Sequence, residues 1–251
     1  MVAMDTTNDM TAMPSLPRRS MKAMGRRAGL LFFLHGLPAP FALLYVARRI
    51  LVPGDMGATA DRVREHAMLL RLSIVAEIWQ CLFLVFAAIA LYRLLREVDH
   101  YLAVVTAALI WISLPIQMVN LLNHMAALVL TSGTTVLTGV TREQVDGLTY
   151  LFVRLHAQGL QITQVFWGLW LIPWGLAAVR SGFMPRWIGA AIIVAGVAYM
   201  LNSGVAILAP HLAPVLSPWL LSFGVAEIAK TGYLLLWGAR EPHPSAVRAV
   251  L

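Results

Sequence analysis

Six separate stretches of about twenty or more apolar residues govern what this chain can become. They cover about Ala28–Ala47, Leu72–Leu95, Leu102–Leu130, Leu160–Val179, Trp187–Leu208 and Trp219–Gly238. A helix needs about 20 such residues to cross roughly 30 Å of hydrocarbon. None of the stretches alternates at period two, so a β-barrel is not supported, whereas helices satisfy every backbone polar group inside lipid. Charged residues make up 12% of the chain, about half the roughly 25% of a soluble domain. With 59% hydrophobic residues and a mean hydropathy of +0.75, a soluble globule and a disordered chain are both excluded. The single cysteine, Cys81, rules out a disulfide scaffold. The expected fold is an all-α polytopic membrane bundle of six transmembrane helices.

Residues 1–25 read as a polar, disordered tail, 26–240 as the transmembrane domain and 241–251 as a second short tail. The distribution of Lys and Arg orients the bundle. With the N-terminus inside, the inner segments hold Arg18, Arg19, Lys22, Arg26, Arg27, Arg93, Arg96, Arg180, Arg186, Arg240 and Arg248. The outer loops hold Arg48, Arg49, Arg62, Arg64, Arg71, Arg142 and Arg154. Eleven against seven favours both termini in the cytoplasm. Pro17-Arg18-Arg19-Ser20-Met21-Lys22 also has the look of a twin-arginine export signal. The apolar run continues to Ala47, however, which is long for a cleaved signal. The net charge of +7 fits topology and attraction to anionic lipid rather than nucleic-acid binding, since there is no soluble basic domain.

The two inner turns are short, and Ser181-Gly182-Phe183-Met184-Pro185 is one of them. Met56–Met68 and Thr141–Leu155 read as short amphipathic helices in the outer loops, the second opened by Thr141 with Gln144 three residues on. Ala209–Pro218 holds three prolines and is expected not to form a regular helix. Val75-Ala76-Glu77-Ile78 recurs as Val225-Ala226-Glu227-Ile228, which is compatible with a three-hairpin repeat.

Ionisable and amide side chains inside spans are costly and usually face the bundle interior. Here they are numerous. Glu77 and Gln80 lie one turn apart. Gln117, Asn120 and His124 share one helical face. His156 and Gln161 flank the start of the fourth stretch, Asn202 lies in the fifth, and Glu227 and Lys230 are spaced for an internal ion pair. These residues fall mainly in the outer half of the bilayer, with His35 nearer the inner side. The functional reading is a polar cavity in that half, holding a small polar ligand or cation. The competing reading is a set of interhelical hydrogen bonds that only hold the bundle together. Glu77, His124, His156 and Glu227 are of metal-ligating type but form no close ligand motif such as HExxH. Cys81 sits in an apolar context, where a thiol is inert. No metal, cofactor or catalytic residue is therefore expected.

Several segments carry a family resemblance: Leu51-Val52-Pro53-Gly54-Asp55, Arg71-Leu72-Ser73-Ile74-Val75-Ala76-Glu77, Leu155-His156-Ala157-Gln158-Gly159, Arg180-Ser181-Gly182-Phe183-Met184-Pro185-Arg186, Tyr199-Met200-Leu201-Asn202-Ser203 and Ala226-Glu227. In their order and spacing, over about residues 25–240, the chain resembles the bacterial multi-pass membrane proteins classed as domain of unknown function 4386. The resemblance implies a six- or seven-helix protein of the bacterial inner membrane with no assigned activity. That family often has Asp where this chain has Glu77 and Asn202; Glu77 keeps the charge and Asn202 loses it. The expected function is a small transporter or ligand-binding membrane protein whose partners are the bilayer and a small ligand. The alternatives are a structural or assembly protein and an intramembrane enzyme acting on lipid or quinone.

Overall fold

The computed structural model describes residues 20–133 and 139–241. The tail before Ser20, including the twin-arginine pair, and the C-terminal tail from residue 242 lie outside the described residues. The described residues form helices α1 (Met21–Gly36), α2 (Ala47–Ile50), α3 (Met56–Glu65), α4 (Ala67–Leu95), α5 (His100–Thr131), α6 (Arg142–Ser181), α7 (Arg186–Leu208), α8 (Ala213–Ser222) and α9 (Val225–Leu236). A π-helical segment, Pro40–Val46, joins α1 to α2. Among the described residues, six helical runs are long and apolar enough to cross a membrane: Met21–Ile50, Ala67–Leu95, His100–Thr131, Arg142–Ser181, Arg186–Leu208 and Ala213–Leu236. The chain is a multi-pass membrane protein by this architecture.

The helices run past the apolar stretches at several ends, because capping and not hydropathy stops a helix. The first begins at Met21, seven residues before the apolar stretch, with the Ser20 side chain accepting from the Ala23 amide at 3.3 Å. Pro38 and Pro40 have no N–H to give to the ladder, and the helix widens into the π segment just where they fall. Asp99 caps α5 through the Leu102 amide at 3.0 Å. Thr141 and Gln144 form the expected capping box. That box does not open a separate surface helix, however: no proline follows until Pro173, and α6 continues as one helix into the membrane. Gly182, with φ +69°, ends α6.

The proline-rich segment departs from expectation. Ala213–Ser222 is helical although it contains Pro214 and Pro218. Pro214 falls in the first turn, where a missing N–H costs nothing. The helix stops at Phe223-Gly224 and α9 starts anew, so the sixth span is broken.

Consecutive spans pack side by side, and α9 closes the ring against α1. Small residues make the close approaches, as membrane helices require. A Cβ on Gly25 or Gly29 of α1 would collide with the backbone of Ala239 or Leu235. On Gly196 of α7 it would lie 2.7 Å from the Gly168 carbonyl oxygen of α6. The Met21 amide lies 3.4 Å from Glu241 Oε1, and the Arg240 amide donates to the Phe183 carbonyl at 2.8 Å. The first residue of α1, the end of α9 and the α6–α7 turn thus share one face, called here the terminal face. The large core, with Leu91, Leu94, Ile110, Trp174 and Ile192, fills the half of the bundle towards that face. A smaller cluster, with Val63, Leu70, Leu121, Leu128 and Val153, fills the distal half.

Candidate functional site

Glu77 sits on α4 about 15 Å below Ala67, at roughly 1.5 Å per residue. It is fully buried. Its neighbours come from the two helices beyond. His156 Nε2 of α6 lies 3.1 Å from Glu77 Oε2, and His124 Nδ1 of α5 lies 3.9 Å from Glu77 Oε1. The two imidazoles stack, with centroids 3.5 Å apart and planes 22° apart. A ligand atom from each of the three residues falls within 4.8 Å of the others.

Local structure explains the meeting. Adjacent antiparallel helices bring 77 and 124 to one level, and α6 reaches that level because it is one continuous helix. Gly159 lets α6 approach so closely that any Cβ there would strike the Asn120 side chain. Asn120 Nδ2 then donates to the His156 carbonyl at 2.9 Å, and Asn123 Nδ2 donates to Asn120 Oδ1 at 3.0 Å. Ser73, one turn before Glu77, donates to Glu77 Oε1 at 3.3 Å. His124 Nδ1 is buried and makes no hydrogen bond.

Two imidazoles and one carboxylate are a donor set suited to a divalent transition ion. Around a tetrahedral ion with bonds near 2.0 Å, ligand atoms stand about 3.3 Å apart. The 3.1 and 3.9 Å separations run to the two oxygens of Glu77 and lie near that value, and the stacked rings would have to turn apart to aim both nitrogens at one ion. The ion would replace the proton shared by His156 and Glu77 and occupy the unpartnered lone pair of His124. Three protein ligands would leave a fourth position open.

A cavity of about 60 Å³ reaches His124 and His156. Its other walls are apolar: Leu43, Val46 and Ala47 from the first span, with Val153, Ala157 and Leu160 from α6 among them. It opens between the π segment and α6. Towards the distal face the cluster is covered by Val63, Leu70, Leu128 and Val153, with α3 lying over it. Ion pairs fasten α3 in place. Arg64 holds Asp61 at 2.7 Å and Asp146 of α6, and Arg142 reaches Asp61 at 3.1 Å.

The other expected site residues do not join this cluster. Gln161 and Asn202 belong to an α6–α7 network. Asn202 Nδ2 donates to Gln161 Oε1 at 3.3 Å and to Gln164 Oε1 at 2.7 Å, and Ser203 Oγ donates to the Gln161 carbonyl at 2.8 Å. Gln80 and Gln117 are buried with unpartnered amide atoms. Glu227 and Lys230 form a separate pair at 3.1 Å. Tyr199 donates to Glu227 Oε1 at 2.7 Å. The Lys230 ammonium is buried over the rings of Trp174 at 4.2 Å and of Phe32 and Trp170, each at 5.0 Å.

His35 lies deep along the first span. Its Nδ1 donates to the Gln80 carbonyl at 2.8 Å, about 20 Å along the helix from Met21. Ser73, Tyr199 and the aromatic box around Lys230 were not singled out as site residues from the sequence. The Ser73–Glu77 spacing of one helical turn was the available signal for the first.

The model of the family described as Domain of unknown function (DUF4386) matches residues 27–238. The chain belongs to that family. No curated protein and no solved structure matches it. In this member of the family the matched range contains all three polar groups: the Glu77 cluster, the α6–α7 amides and the Lys230 box.

Proposed function

We propose that this chain is a ligand-binding membrane protein whose site is a divalent transition-metal ion held by Glu77, His124 and His156. The carrying observation is the convergence of those three side chains, buried, from three helices, with the His124 Nδ1 unpartnered. Burying a carboxylate beside two imidazoles is expensive unless an ion or proton compensates it. An ion of the zinc class satisfies all three ligands at once. This reading departs from the sequence expectation of a cavity without metal, because ligands 32 to 79 positions apart in the chain leave no local motif.

The same reading supplies an orientation. The excess of Lys and Arg on the terminal face favours a bacterial inner membrane with both termini cytoplasmic, which puts the metal in the outer half. Binding is favoured over transport because the bulky side chains Leu84, Leu91, Leu94 and Ile110 are fully buried between the site and the terminal face. Neither catalysis nor nucleic acid is invoked.

The test is the metal content of the purified full chain after dialysis against limiting Zn²⁺. About one equivalent is expected, falling to background in Glu77→Gln and in His156→Ala. Glu227→Gln should keep it, since that carboxylate serves Lys230. A wild-type protein with no more zinc than the Glu77→Gln variant overturns the proposal.

A further inference from the structure

We infer that the open fourth position binds the head of a long-chain carboxylate that enters from the bilayer. The inference rests on the metal reading above and names the class of ligand for that site. Three observations carry it.

The first is access. The way to distal water is blocked by the apolar cluster and by α3, pinned to α6 through the Arg64–Asp146 and Arg142–Asp61 pairs. The cavity opens instead between the first span and α6, where Ala47 is exposed and Leu43, Ala157 and Leu160 are partly so. Both elements belong to the membrane-crossing part of the chain. What reaches the metal must therefore be soluble in hydrocarbon along most of its length.

The second is size. A volume of about 60 Å³ is several times the roughly 10–15 Å³ that one water requires. It has room for a carboxylate head but not for a long chain, so the chain of the ligand stays between the helices and the lipid.

The third is charge. A divalent ion with one ligating carboxylate and two neutral imidazoles leaves a net charge of one positive unit in an apolar setting. A single monoanion neutralises it, and a neutral or cationic head does not. Arg48 and Arg49, exposed beside Ala47, add positive charge at the rim of the opening. The π segment that lines the opening has the local widening often found at functional sites. On binding, one carboxylate oxygen displaces water from the ion; no bond to carbon breaks.

Cobalt(II)-loaded full-length protein tests this through its visible absorption, which reports the ligands of the ion. Dodecanoate, dodecanol and acetate are titrated in the same detergent. Dodecanoate should shift the spectrum at a concentration at least tenfold below acetate, and dodecanol should not shift it. Ala47→Trp and Leu43→Trp narrow the opening away from the ligands. Both should bind one cobalt yet raise the dodecanoate half-saturation at least tenfold, which separates the opening from partition into the micelle. Bound cobalt with no dodecanoate shift, or an equal shift in both Trp variants, overturns the inference and leaves the metal reading standing. Failure of the wild type to take up cobalt overturns both.

Discussion

The Glu227–Lys230 pair is expected to be a structural unit whose two charges depend chiefly on each other. Lys230 is 1% exposed and has one carboxylate and three aromatic rings around its ammonium. Removing one partner of a buried pair costs about 3–5 kcal/mol. Glu227→Gln keeps hydrogen-bonding atoms for Lys230 and Tyr199, and the rings still attract the ammonium, each by about 0.5–2 kcal/mol. The loss should then sit near the lower end, about 3 kcal/mol. Lys230→Met leaves a carboxylate that still accepts from Tyr199 and is partly exposed, so about 1–2 kcal/mol is expected. Independent effects would sum to about 4–5 kcal/mol. The double variant removes both charges from an apolar box and should fall within about 1 kcal/mol of wild type. The assay is SDS-driven unfolding in mixed micelles, followed by tryptophan fluorescence. A double-variant loss equal to the sum of the single losses, within about 0.5 kcal/mol, refutes the reasoning.

Two other outcomes follow, one from the packing of α6 on α7 and one from α3, the distal lid over the cluster. Gly196→Leu places a side chain where even a Cβ lies 2.7 Å from the Gly168 carbonyl, so α6 and α7 must separate; a loss of more than about 3 kcal/mol is expected in the same unfolding assay. Arg64→Ala removes the pairs to Asp61 and Asp146 at a partly exposed position, so global stability should change by about 1 kcal/mol or less. Hydrogen exchange in Met56–Glu65 should nevertheless rise while that of α4 stays the same, and unchanged exchange in α3 would show that the ion pairs do not hold the lid.

Much of the architecture could be read from length and hydropathy, because lipid leaves a helix few alternatives. The shared face of Gln117, Asn120 and His124 was legible for the same reason, since spacing on one helix fixes it. Which helices meet was not. Val75–Ile78 and Val225–Ile228 are identical in sequence, yet Glu77 meets two histidines and Glu227 meets a lysine and a tyrosine. That difference lies in the neighbouring helices and not in the local residues. His156 is among the candidates in the sequence, but its depth in the bundle was hidden in another way. The charges of Arg142–Arg154 lower the hydropathy of that segment and give it the pattern of a surface helix, while the backbone runs straight on into the membrane. Pro214 misled because a proline in the first turn does not disrupt a helix, whereas Pro218 sits inside α8, which stops four residues later.

The central claim is a metal ion held by Glu77, His124 and His156, and X-ray absorption at the zinc edge of the purified, zinc-loaded protein tests it most directly. A four-coordinate shell of N and O atoms at about 2.0 Å, with the outer-shell scattering of two imidazoles, is the predicted result. A six-coordinate oxygen shell without imidazole scattering, or a spectrum unchanged by His124→Ala, would contradict it.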